Sequence, residues 1–197
     1  MGKIVPTPAD LAALSPLHIR SERCPVWWVL GSRYTLLLTA EDSGGAFSLL
    51  KVVVPAGRGS PLHTHAHEDE TFHVIEGEVE FSTGGQAIHA RLGSVVFGPR
   101  GVSHSFCNVG TENACLLCII TPGGLERFFM DGGVPAWDRA SPPPAPTPED
   151  IERVRWAALK YGLELHDPDE HEELASPLSS SGIPSQRRRI DDARHLA

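Results

Sequence analysis

From Trp27 to Thr121 the sequence breaks into short apolar runs, none long enough for a helix of ordinary length. The runs are VWWVL, YTLLLT, FSLLKVVV, ETFHVIE, EVEFS, QAIHARL, SVVF, HSFCNV and ACLLCII, rich in Val, Ile, Phe and Thr. Turn residues separate them: SGG at 43–45, GRGSP at 57–61, GG at 84–85, GPRG at 98–101 and NVGTEN at 108–113. β-Branched and aromatic side chains suit a pleated, half-buried surface, and closely spaced turns let successive strands fold back. This texture predicts an all-β sandwich or barrel over residues 27–122.

The flanks read differently. Residues 1–26 form an N-terminal arm, with Thr7 to Leu14 expected as a short helix: Thr7 caps, Pro8 takes the first position and Asp10 lies in the first turn. After Thr121 the strands are expected to stop. Leu125 to Met130 fits one or two helical turns, and SPPPAPTP at 141–148 must be extended. Thr147 then caps a helix begun by Pro148, Glu149 and Asp150 and stopped by Gly162. Ile151, Val154, Ala158 and Tyr161 form its apolar face. Residues 123–175 are thus a helical segment packing on the β domain, and 176–197 a weakly ordered Ser-, Arg- and Asp-rich tail.

Composition excludes several function classes. A net charge of −8 disfavours broad binding to nucleic acid or anionic membrane, and the Arg187 to Arg189 run reads as solvated tail. The N-terminus lacks an apolar run for a signal peptide or membrane span, and Pro6 stands where a myristoylation motif needs Ser or Thr. The expected compartment is the cytoplasm, with the four cysteines as reduced thiols. Cys115 and Cys118 spell CxxC inside an apolar strand, where residues three apart face opposite ways, so both read as core thiols.

The chemistry concentrates in HTHAHEDETFH at 63–73, which holds four of the ten histidines. On a strand His63 and His65 share a face and make a two-imidazole clamp. Glu70 opens the next strand and can face the same space. His104 begins a strand after the PRG turn at 99–101 and supplies a third imidazole. Three imidazoles and a carboxylate bind a divalent transition metal and can leave positions open for substrate or oxygen. Gly57 permits a tight approach before His63, and Gly77 is expected to turn ETFHVIE into EVEFS as a hairpin. His67 reads as solvated or supporting. His73, on the opposite strand face, and His89 read as structural or packing residues.

These two segments match both signature motifs of the cupin superfamily. The first runs Gly57, five residues, His63, one, His65, four, Glu70, six, Gly77; the second runs Gly93, five, Pro99, one, Gly101, two, His104, three, Asn108. The resemblance implies a double-stranded β-helix of jelly-roll barrel type. It also implies that His63, His65, Glu70 and His104 ligate one divalent metal: iron, manganese, nickel, cobalt or copper, with zinc also compatible. Strand parity places Phe72 and Val74 with Glu70, and Phe106 and Asn108 with His104, where they form either a mainly apolar substrate wall suited to an aromatic ligand or simply the core of a small barrel.

The wider chain, roughly 27–166, resembles the single-cupin group that contains quercetinases. The carrying features are the stretch YTLLLTAEDSGG through HVIEGEVEF, the TPGGLERFF that follows the last strand, and the KYGLEL that closes the chain's last helix. The resemblance implies a dioxygenase acting on a flavonol-like aromatic enol: Glu70 takes the substrate hydroxyl proton, and dioxygen opens the heterocycle with release of carbon monoxide. It further implies a homodimer, for which the arm and Trp27–Trp28 are candidates. Two rivals share the site: a cyclase or isomerase using the metal as Lewis acid without oxygen, and a non-enzymatic ligand-binding cupin.

Overall fold

The structure, a computed structural model, describes residues 14–166. The helix expected at Thr7 to Leu14 and the tail from 176 lie outside the described residues, apart from Leu14, which is exposed and not helical. A single 3-10 turn at Ser21–Arg23 precedes the first strand.

Every expected strand forms: β1 (Val26–Val29), β2 (Ser32–Leu38), β3 (Ser48–Val54), β4 (Gly59–His65), β5 (Asp69–Glu76), β6 (Glu78–Thr83), β7 (Gln86–Arg91), β8 (Val95–Gly98), β9 (His104–Asn108) and β10 (Ala114–Thr121). Two more follow where strands were expected to stop, β11 (Val134–Pro135) and β12 (Leu163–Leu165). They are too short to carry a periodic signal and exist because each pairs with a partner already in place: β11 with β1, β12 with β4. The strands form two antiparallel sheets, a seven-stranded one ordered β11-β1-β2-β3-β10-β5-β8 and a five-stranded one ordered β12-β4-β9-β6-β7. This is the two-sheet form of a double-stranded β-helix and not a single closed barrel.

Alternation along the strands builds the core. On β3 the side chains of Leu50, Val52 and Val54 are fully buried while their neighbours are half-exposed, and on β10 Leu116 and Ile120 face the same interior. From the smaller sheet Val79, Phe81, Ala90 and Phe106 meet them. Phe72 of β5 closes on Phe81 and Phe106 with ring centroids 5.2 and 5.6 Å apart, an aromatic contact that joins the sheets. Cys115 and Cys118 face opposite sides, as the strand period requires. Cys115 lies near Lys51, Glu76 and Arg33, and Cys118 points inward to Glu70.

Two helices follow. α1 (Glu126–Gly132) contributes Phe128 and Phe129 to the core. α2 (Pro148–Tyr161) has the expected start: Thr147 accepts from the Asp150 amide while the Asp150 carboxylate accepts from the Thr147 amide, a reciprocal cap, with Pro148 at the first position. Gly162, in the left-handed region at φ +76°, ends it. Its buried face is Val154, Ala157 and Ala158; Ile151, placed on that face by spacing, is 41% exposed because it sits in the first turn, beyond the edge of the sheet contact. No helix among the described residues is long and apolar enough to cross a membrane.

Two glycines act differently from the sequence reading. Gly77 does not make a hairpin: β5 and β6 belong to different sheets, and Gly77 (φ +79°) carries the chain across between them. A Cβ there would lie 2.8 Å from the Ala114 Cα. Close approach before His63 belongs to Gly59 and not Gly57. A Cβ on Gly59 would meet the Phe106 carbonyl oxygen of β9, whereas one on Gly57 (φ +69°) meets nothing within 4 Å. Gly57→Ala is therefore expected to cost about 1 kcal/mol, from backbone strain alone. Gly59→Ala is expected to cost about 3 kcal/mol or more, by pushing β4 off β9. Urea unfolding of the two variants measures the difference, and equal midpoints would contradict it.

Candidate metal centre

β4 lies between β9 and β12, and its inward side chains decide the site. Pairing runs Gly59 with Cys107 and Ser60 with Phe106, then shifts, so that His63 and not Leu62 stands opposite His104. The extra residue is a bulge at Pro61–Leu62. A one-residue slip exchanges the two faces of a strand, so the bulge turns His63 and His65 to the interior and leaves Leu62 outside. Pro61, which has no N–H to offer the ladder, is tolerated there. Its carbonyl accepts a hydrogen bond from His63 Nδ1 at 2.9 Å.

Glu70 arrives from the other sheet. It is the second residue of β5, opposite Ile120 on one side and Gly98 on the other. Arg100 fixes the strand end: its side chain donates to both oxygens of Asp69 at 2.9 and 2.7 Å, and its amide donates to the same carboxylate at 2.9 Å. The Gly101 amide donates to the His65 carbonyl at 2.9 Å, tying the turn before His104 to β4.

The result is a tight, buried cluster. His63, His65, Glu70 and His104 are each under 10% exposed, and one ligand atom from each lies within 4.8 Å of all the others. His63 Nε2 is 3.0 Å from His65 Nε2; the near Glu70 oxygen is 3.1 Å from His104 Nε2 and 3.4 Å from His65 Nε2. Donor atoms ~2.1 Å from one shared ion sit roughly 3.0–3.4 Å apart in octahedral or tetrahedral arrangements, so these spacings fit a transition metal. The outer ring nitrogens support the fit. His63 Nδ1–H is held by Pro61 and His104 Nδ1–H by the Val102 carbonyl at 3.1 Å, which leaves both Nε2 lone pairs aimed inward. His65 Nδ1 faces Glu68 Oε2 at 3.7 Å, and neither buried atom has a hydrogen-bond partner among the described residues.

Electrostatics follow from this crowding. Burial lowers the His63 pKa to about 4, with His104 and His65 adding to the effect, so His63 is neutral at pH 7. For His65 burial works downward, but Glu70 and Glu68 outweigh it and raise the pKa to about 9. Burial pushes Glu70 up, yet the surrounding imidazoles hold it well below the usual carboxylate range. Glu70 is therefore ionised and a good ligand, but a weak base. Burial and Glu70 together push the Cys118 thiol up, keeping it protonated beside the carboxylate, to which Sγ donates at 3.6 Å.

His63, His65 and Glu70 line one side of a small cavity of about 50 Å³. Phe72 and Phe106 line it, as parity suggested. Val74 and Asn108 do not. Val74 lies one pair further along β5, sealed in the core. The Asn108 amide donates to the Val54 and Glu112 carbonyls at 2.7 and 2.8 Å and accepts from the Gly110 amide at 2.9 Å, closing the turn into β10. Sequence reasoning missed Glu68, Cys118 and Tyr34, all of which stand at the site. The other histidines stand apart: His67 is exposed against Gly162, His73 is exposed on the outer face, and His89 is exposed and pairs with Glu78 at 3.3 Å, not packed as expected. Outside the cavity, α2 and β12 border a groove of about 890 Å³. It shares Leu30, Pro61, Val154, Leu163 and Leu165 with the cavity wall.

Comparison with known proteins agrees with this architecture. The Cupin domain family model matches residues 50–120, a span that contains all four clustered residues. Among curated proteins, quercetin 2,3-dioxygenase of Bacillus subtilis is 26% identical over 102 residues, covering 52% of this chain and 30% of the relative. An oxalate-binding protein of Thermotoga maritima is 31% identical over 70 residues, covering 36% and 58%. The chain thus matches less than two thirds of the length of either relative. A solved structure from Thermotoga maritima, described as a "predicted oxalate decarboxylase", superposes with a TM-score of 0.51 at 25% identity, covering 54% of this chain and 99% of that one. With this match laid over two facing antiparallel sheets and the ligand cluster between them, residues 50–120 of the chain form a cupin domain.

Proposed function

We propose that the protein is a metal-dependent dioxygenase acting on a flavonol-like or other aromatic enol substrate. The observation that carries this reading is the pairing of four converged candidate ligands with an apolar, aromatic-lined cavity. The cavity wall holds no Lys or Arg, so it offers an anionic substrate no charge partner other than the metal itself. Phe72, Phe106, Phe128 and Phe129 offer flat apolar surface. The similarity to quercetin 2,3-dioxygenase supports the same direction.

Bound between these residues, the metal would supply Lewis acidity toward an enol oxygen and a route for reaction with dioxygen. His63, His65 and His104 would hold it through Nε2, with the rings of His63 and His104 oriented from behind by the Pro61 and Val102 carbonyls and His65 lying near the Glu68 carboxylate. Glu70 would be the fourth ligand and is the carboxylate available to accept the substrate hydroxyl proton; its depressed pKa makes it a weak base for that role. The phenylalanines exclude water and stack on the ring.

Size sets the access route. Pockets for drug-sized ligands run roughly 300–1,000 Å³, far above the inner cavity but matched by the outer groove. An aromatic substrate would rest in the groove between α2 and β12 and reach the metal by displacing the five shared apolar side chains. The small inner cavity, together with the similarity to an oxalate-binding protein, favours a second reading: binding or oxygen-independent conversion of a small acid directly on the metal.

Three measurements separate these. Elemental analysis of purified protein is expected to find one transition metal per chain, and His104→Ala to lose it while circular dichroism stays native. Stoichiometric metal in that variant would remove His104 from the ligand set. In an oxygen-electrode cell, quercetin is expected to drive metal-dependent uptake with release of carbon monoxide; loaded protein without uptake would favour the second reading. Leu165→Ala, at the half-buried mouth, is expected to lower the KM for quercetin at unchanged metal content, and an unaltered KM would place the access route elsewhere.

A further inference from the structure

Apart from the metal ligands, the cavity wall is almost wholly apolar, and its few polar side chains are nearly all engaged. Ser60 Oγ accepts from the Phe106 amide at 3.2 Å, and Cys118 Sγ donates to Glu70. Tyr34 differs. It is 93% buried, lines the cavity beside Glu70 and Cys118, and its hydroxyl has no hydrogen-bond partner among the described residues. The hydroxyl is not among the fully buried polar atoms left without a partner, so it stands at the accessible surface of the cavity, where a ligand can engage it.

The side chain is also held in place. Tyr34 stands mid-strand on β2, paired with Val52 and Trp27, and its ring stacks on Phe129 with centroids 4.6 Å apart and planes 28° from parallel. Burial, with the Glu70 carboxylate behind it, keeps the phenol protonated, so the group that faces the cavity is a donor. A donor on a rigid ring orients a ligand with little loss of freedom on binding.

We infer that Tyr34 is a substrate-orienting residue, whose hydroxyl donates to a second oxygen of the ligand, adjacent to the oxygen held at the metal centre. This rests on the aromatic-enol reading and narrows it. The substrate class becomes compounds with vicinal oxygens, an enol or phenol next to a carbonyl or second hydroxyl, because a single-oxygen ligand would leave the Tyr34 hydroxyl unpaired.

The test uses metal-loaded protein without oxygen, titrated with 4-nitrocatechol and followed by its visible band. Tyr34→Phe keeps the ring and its stack on Phe129, so metal content and the thermal midpoint report whether the site is intact. The expected result is tight binding by the wild type, with affinity lowered roughly five- to tenfold and a shifted band maximum in Tyr34→Phe, at unchanged metal content. The affinity for 4-nitrophenol, which has one ligating oxygen, is expected to be the same in both proteins. Equal 4-nitrocatechol affinity and band position would overturn the role of Tyr34 and leave the aromatic-enol reading standing. An equal loss for 4-nitrophenol would overturn the assignment to a second oxygen. Loss of metal in Tyr34→Phe would make the residue a support of the centre and overturn its role toward substrate. Failure of wild-type loaded protein to bind 4-nitrocatechol would overturn the aromatic-enol reading, and this inference with it.

Discussion

Three imidazoles from one sheet and a carboxylate from the other converge on a point neither sheet could build alone. His63, His65 and His104 lie on paired strands of the five-stranded sheet, and Glu70 starts a strand of the seven-stranded sheet. Burying these groups is unfavourable unless each finds a partner, and inside the cluster their Nε2 and carboxylate atoms have only one another. The surrounding structure is arranged around that demand. The bulge at Pro61–Leu62 turns the histidine pair inward, Arg100 pins the end of β5 through Asp69, and Gly59 lets β4 and β9 approach. A bound cation would thus stabilise not only its ligands but the packing of one sheet on the other, since it attracts side chains from both.

Much of this was legible in the sequence because the signals were local. Nine strands of the two sheets appear as short β-rich runs bounded by turn residues, β4 is marked only by its HxH pair, and the last helix announces itself by Thr147, Pro148 and Gly162. The four clustered residues were legible for a different reason: HxH on a strand fixes two imidazoles on one face whatever the tertiary structure does. What stayed hidden depends on pairing. Gly77 between two strands reads identically for a hairpin and for a crossing between sheets, and only the pairing of β5 with β8 and β10 distinguishes them. β12, three residues long, has no periodicity of its own and exists through β4.

The missed residues of the site share that cause. Cys118 and Glu70 are distant in sequence, and the antiparallel register of β10 against β5 sets them side by side. Tyr34 reaches the cavity from β2 only because β2 lies beside β3. Val74 and Asn108 show the converse. Parity correctly turned both inward, yet inward means core for most of a sheet and cavity only near the ligand-bearing ends. Asn108 shows the difference in chemical detail: its amide is taken up by the Val54 and Glu112 carbonyls and the Gly110 amide, whereas Tyr34 lines the cavity.

The contrast between cavity and groove bears on how one site can serve different chemistry across a family. The four clustered residues come from strands paired on both sides or from strand ends tied to neighbouring turns, which fixes their positions. The mouth is built from Leu30, Pro61, Val154, Leu163 and Leu165, contributed by a loop, a bulge, a helix and a three-residue strand that all lie outside the central pairings. Apolar contacts without directional hydrogen bonds are easily exchanged, so substitutions there alter which molecule reaches the metal at little cost to the ligand set. On the proposed reading, selection among ligands would fall to the α2–β12 wall, which can change with little effect on the sheets, while Tyr34 and the four candidate ligands are fixed by strand pairing.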